Sequence, residues 1–107
     1  MIRQPDFVNG QVFAAAVEAV TRKKPQLNVS KARLATFTEG LCVQCMHIGS
    51  FDDEPATVAK MNSYIAEQDL LCDLSDVRRH HEIYLSDPRK TEVSRLKTIL
   101  RHPVRQP

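Results

Sequence analysis

The sequence predicts an α+β domain, an antiparallel sheet with two helices packed on one face. Two segments carry helical spacing of apolar residues: Phe13, Ala16, Val17 and Val20 in one, and Val58, Met61 and Ile65 in the other. The stretches Leu41–Gly49, His80–Ser86 and Leu96–Pro103 read instead as strands. An antiparallel sheet carrying both helices on one face is the simplest way to bury the two stripes, and it leaves the other sheet face free.

Taken in order, Asn9 is suited to cap the first helix. Thr21-Arg22-Lys23-Lys24 ends it with positive charge against the C-terminal dipole, and Pro25 cannot continue it. Pro25 to Lys31 has the composition of a connection. Arg33 to Thr38 then alternates, with Leu34, Thr36 and Thr38, in strand fashion. Glu39-Gly40 reads as the turn of an antiparallel hairpin whose second strand is Leu41 to Gly49, with Gly40 supplying a positive φ. Asp53 is a plausible N-cap for the second helix. Glu54 complements its dipole, and Pro55 lies in the first turn, where a missing N–H costs nothing. That helix runs to about Gln68, and Gln68 to Arg79 reads as a loop docked by its leucines. Two strands finish the chain, the last ending near His102-Pro103.

At 107 residues, with 42% hydrophobic and 26% charged residues, there is room for one domain with a modest core. No apolar run approaches the ~18 residues a membrane span needs, and the N-terminus lacks a signal-peptide hydrophobic region, so a cytoplasmic protein is expected. Three cysteines, an odd number, fit a reducing compartment better than a disulfide framework. A net charge of +2 is too small to imply a polyanionic partner. The C-terminal third is basic, with eight Arg or Lys from Arg78 onward against Glu82, Asp87 and Glu92. Aromatic residues are few, however, and no recognition-helix pattern is present, so nucleic acid is not the expected partner.

The motifs that suggest chemistry divide by geometry. Cys42-Val43-Gln44-Cys45 invites a redox or zinc reading, but residues three apart on a strand face opposite ways, so both are read as packing residues. His80 and His81 likewise point to opposite faces and leave no evident third ligand; no metal and no cofactor are expected. With three glycines in the chain there is no nucleophile elbow and no phosphate-cradling loop. Glu82 differs. On its strand it shares a face with His80, Tyr84 and Ser86, while Ile83 and Leu85 face the core. Such a carboxylate either lines a ligand groove or belongs to an ordinary polar strand face. In a groove it attracts hydrophobic cations beside its aromatic neighbour. The same desolvation would raise its pKa and make it a general base for water.

The order HHEIYLSDPRK followed by LKTILRHPV resembles the end of the GyrI-like small-molecule-binding family, and HIGSFDDEPATVAKM resembles the family's His-x-Gly-x-aromatic-Asp turn. The resemblance implies the second half of a duplicated strand-helix-strand-strand architecture, with the ligand between the two copies. Met1 to Pro5 then resembles the tail of a strand closing the first half. On that basis residues 1–107 form a single, partial domain: a strand tail and linking helix over 1–30, and a hairpin, helix and two C-terminal strands over 31–107.

The family's function implies ligand-binding roles for Glu82, Tyr84, His80, His47 and Phe51, in a groove on the open sheet face, serving toxin protection or effector sensing. Some relatives resemble hydrolases that open strained cyclopropane rings of DNA-alkylating toxins. That implies Glu82 and Tyr84 as catalytic residues here, although a chain with no Trp lacks the family's tryptophan-rich strand. A non-functional or structural fragment of a longer protein is the third alternative. A half-pocket with one sheet face and edge uncovered leaves room for a homodimer or for the missing N-terminal half.

Overall fold

Asn9 starts the first helix as its side chain suits it to do, its Oδ1 accepting from the Val12 amide at 3.0 Å, and α1 runs Gly10–Lys23. Phe13 and Val17 are the half-buried residues of the expected stripe, and Lys24 closes the helix by donating to the Val20 carbonyl. The computed structural model describes all 107 residues, which form two compact units, Met1–Phe37 and Thr38–Pro107. Met1 to Pro5 is irregular rather than a strand tail, and so is Arg33 to Thr38. No helix is long and apolar enough to cross a membrane.

The second unit holds the sheet and one helix: β1 (Cys42–Ile48), α2 (Glu54–Glu67), β2 (Leu71–Cys72), β3 (His81–Tyr84) and β4 (Lys97–Arg105). All pairings are antiparallel and converge on β4, with β1 along one edge and β3 then β2 along the other. The α+β class and the antiparallel sheet therefore stand, but the expected hairpin does not form. Its first strand is replaced by a clamp. Arg78 Nη2 donates to the Glu39 and Leu41 carbonyls at 2.7 and 2.8 Å, while Nη1 donates to Asp73 Oδ2 at 2.6 Å and to the Val104 carbonyl at 3.2 Å. Five donors in a fixed fork suit one arginine to bridge such separated acceptors. Gly40 does take the expected positive φ, +70°, but beneath this guanidinium rather than in a hairpin turn.

The last strand continues two residues past Pro103. Its residues alternate in the edge they address, since Val104 donates to the Leu41 carbonyl while the Pro103 carbonyl accepts from Asp73. The Pro103 nitrogen therefore faces the gap between β3, whose pairing stops at Arg101, and β2, whose pairing starts at Val104. No ladder donor is needed there, which removes the usual objection to proline in a central strand.

Registers and alternation sort the side chains. Val43, Cys45 and His47 share one face with Thr98, Leu100, His102, Glu82 and Tyr84; Gln44, Met46 and Ile48 share the other with Lys97, Ile99, Arg101, His81 and Ile83. Met61 and Ile65 of α2 are buried, as are Leu100 and Val104 on the first face, so this is the face α2 covers. The assignment of Ile83 and Leu85 to the core is thereby corrected. Ile83 lies on the open face and Leu85 is exposed, because the helix packs on the side that carries Glu82. Cys42 and Cys45 fall on opposite faces, as a strand requires.

Between β1 and α2 the chain turns through Gly49, whose amide donates to the Leu96 carbonyl and whose φ of +125° is a conformation left to glycine. Replacing Gly49 by Ala is expected to destabilise the fold by about 1–3 kcal/mol. A urea midpoint unchanged from the parent would contradict the turn's strain.

Candidate functional site

The turn that Gly49 permits is held by His47. This side chain is 4% exposed, with Nε2 donating to the Ser50 carbonyl at 2.7 Å and Nδ1 against Thr57 Oγ at 2.8 Å. Both ring nitrogens are thus occupied in fixing the entry of α2. His47, expected among the ligand contacts, is not among the residues that line the groove. Asp53 precedes the helix but makes no side-chain cap; its carboxylate accepts from the Ser50 hydroxyl at 2.8 Å. The short 3₁₀ turn Phe51–Asp53 leads directly into α2 and places Phe51 and Glu54 at the mouth of an open groove.

That groove, of about 500 Å³, runs between the N-terminal half of α2 and β3. Phe51, Pro55, Val58 and Ala59 give it an apolar wall, and Glu54, Glu82, His80 and Asn62 its polar groups. It lies on the helix-bearing face of the sheet, not on the open face expected from the sequence. The Phe51 ring meets Tyr84 edge to face with centroids 5.6 Å apart, extending the aromatic rim to β3.

Glu82 is held from both sides: Tyr84 Oη donates to Oε2 at 2.8 Å, and His80 Nε2 lies 3.2 Å from Oε1. The Tyr84 hydroxyl holds the Glu82 carboxyl below the usual range against the opposing effect of burial, and His80 and Glu54 add to the lowering. The expectation that desolvation raises this pKa is therefore reversed, since hydrogen bonds to the charged form outweigh it. Tyr84 in turn is pushed up by the hydrogen bond it donates to Glu82, and second by that carboxylate's charge.

The raised carboxyl is Glu54. Burial, and second the negative charge of Glu82, push it above the ordinary value, with His47 and His80 opposing. Its Oε1 is enclosed with no hydrogen-bond partner. Reading Glu54 as a helix-dipole residue missed this. The available signal was spacing: Glu54, Val58 and Asn62 recur every four residues, so Glu54 extends a stripe already assigned to the sheet side of the helix. Behind the groove, His80 stacks edge to face on His102 at 4.8 Å; burial, then the neighbouring His80, lowers the pKa of His102.

Of the residues singled out in the sequence, Glu82, His80 and Phe51 line the groove together with Glu54, and Tyr84 adjoins it through Phe51 and Glu82. The helix and edge strand of this α+β module thus flank an open, acidic, aromatic-rimmed groove of small-molecule size. The chain belongs to the GyrI-like small molecule binding domain family, whose model matches residues 9–105.

Among solved structures, an uncharacterized conserved protein from Listeria innocua is 48% identical with a TM-score of 0.93, over 96% of this chain and 50% of that one. A hydrolase from the same organism is 47% identical with a TM-score of 0.90, over 96% of this chain and 52% of that one. A further Listeria innocua hydrolase structure gives 47%, 0.87, 96% and 50% for the same measures. The chain thus spans about half the length of the solved structures it matches. No curated relative matches it.

Proposed function

We propose that the groove binds a small molecule with an apolar body and a cationic group, the cation at Glu82 and the body along Phe51, Pro55, Val58 and Ala59. The arrangement of Glu82 carries this reading: an ionised carboxylate fixed by Tyr84 and His80, with no Arg or Lys neutralising it, beside an aromatic and apolar wall. Toxin protection and effector sensing are both roles for such a site.

Glu54 adds a pH signature. Because its pKa is raised, it keeps its proton above the range where an ordinary glutamate, near pH ~4.3, has lost it, while Glu82 is already charged. A cation favours the ionised form, so binding releases a proton and affinity rises as pH climbs through the titration of Glu54. Tetraphenylphosphonium has no titrating group of its own. Its affinity is expected to rise through this window in the parent and to stay flat in Glu54→Gln; a parent profile already flat there would contradict the proposal.

A second reading is hydrolysis, favoured by two carboxyls displaced in opposite directions and by the two solved structures described as hydrolases. Such a pair divides acid and base roles. Glu82 takes a proton from water as the oxygen attacks a strained ring carbon, as in the cyclopropane ring of a DNA-alkylating toxin. The ring C–C bond breaks toward an electron-withdrawing group, and Glu54 returns a proton to that end. Tyr84 keeps Glu82 oriented and charged.

A further inference from the structure

We propose that β1 is a self-pairing edge, joining two copies of this chain across a two-fold axis at Cys45. The proposal is independent of the groove's ligand. Leu41 accepts from Val104, and Gly49 donates to Leu96, so the odd-numbered residues of this stretch direct their backbone groups to β4. The amides of Cys42, Gln44, Met46 and Ile48 therefore point away from the sheet, and no backbone hydrogen bond reaches them.

Edge strands are ordinarily protected by charge, proline, a bulge or brevity. The sequence CVQCMHI contains no charged residue and no proline, and its register with β4 is unbroken from Cys42↔Pro103 to Ile48↔Lys97. The strands along the other edge of the sheet are short, two residues in β2 and four in β3, and β3 carries Glu82. β1 is seven residues long, and Met46 and Ile48 beside its edge are 44% and 61% exposed.

The strand also suits itself as partner. Antiparallel pairing about Cys45 sets Gln44 opposite Met46 of the second copy and Cys42 opposite Ile48, uses all four outward amides, and opposes no like charges. Residues directly opposite share a face, so both α2 helices lie on one side of a continuous sheet and the exposed Met46 and Ile48 meet cross-strand neighbours on the other. A two-fold contact of this kind is closed, since it uses the β1 edge of both copies and leaves only the short β2 and β3 strands at the outer edges.

Sedimentation equilibrium up to about 100 µM tests the association, which mass action makes concentration-dependent. The parent is expected to dimerise. Met46→Lys puts two ammonium groups in diagonal contact across the axis and should raise the dissociation constant roughly tenfold or more. Gln44→Lys provides the same test should that variant fail to fold. In Cys42→Ser/Cys72→Ser, where Cys45 is the sole thiol, diamide should yield a disulfide-linked dimer, since opposed non-hydrogen-bonded residues lie within disulfide reach. A monomer throughout this range, a dimer unaffected by both lysine variants, or a dimer that diamide leaves uncrosslinked would overturn the proposal.

Discussion

Replacing Glu82 by Gln is expected to weaken binding of a lipophilic cation by about 1.5–3 kcal/mol, roughly 10- to 150-fold, with little loss of thermal stability. The shape survives, because the amide oxygen still accepts from the Tyr84 hydroxyl, and what disappears is the charge. The structure sharpens this expectation. Arg78 is committed to Asp73 and to three carbonyls, and Arg101 to Glu39 and Gln44, so Glu82 is not a structural counter-ion for either. Titration of tetraphenylphosphonium and a melting curve on the same variant separate the readings: unchanged affinity with a lowered melting temperature would defeat the binding role. Under the hydrolase reading the variant should also lose turnover of a strained electrophile by about 10²- to 10⁴-fold while retaining an inert neutral analogue.

Arg78→Met is expected to destabilise the second unit by about 2–4 kcal/mol, a large share of what holds a domain of this size together. Methionine keeps the stem's packing and removes every donor, leaving the Glu39, Leu41 and Val104 carbonyls without the guanidinium and Asp73 with Arg105 at 3.6 Å. Arg78→Lys should recover the Asp73 pair but not the carbonyls, because one ammonium cannot span them. Urea unfolding checks the order parent, Lys, Met. A Met variant within about 0.5 kcal/mol of the parent would show that the clamp is incidental to stability.

The helices and the start of the groove were legible in the sequence for a local reason. Periodicity over three or four turns records which side of a helix is buried, and Met61 and Ile65 are buried where the stripe placed them. The first cap and one glycine are equally local: Asn9 accepts from Val12, and Gly40 takes the expected positive φ. Alternation alone sufficed to put Glu82, Tyr84 and His80 on one strand face and Cys42 and Cys45 on two.

What alternation cannot record is which face a helix will cover or which strand will be the neighbour. β1 pairs with β4, from far along the chain, rather than with Arg33–Thr38, because the Arg78 guanidinium takes the carbonyls leading into β1 and the buried face of β4 offers it Thr98, Leu100 and His102. That pairing turned Ile83 outward, moved the groove to the helix side and made His47 a turn lock. It also brought Glu54 against Glu82, where burial and a neighbouring charge, neither of them visible in a linear sequence, set their pKa values apart. The sequence by itself determined the helices, the positive φ of Gly40 and the residues sharing Glu82's strand face. Tertiary structure decided the groove's walls and the second carboxyl, because desolvation and charge proximity depend on distances between segments that no local pattern encodes.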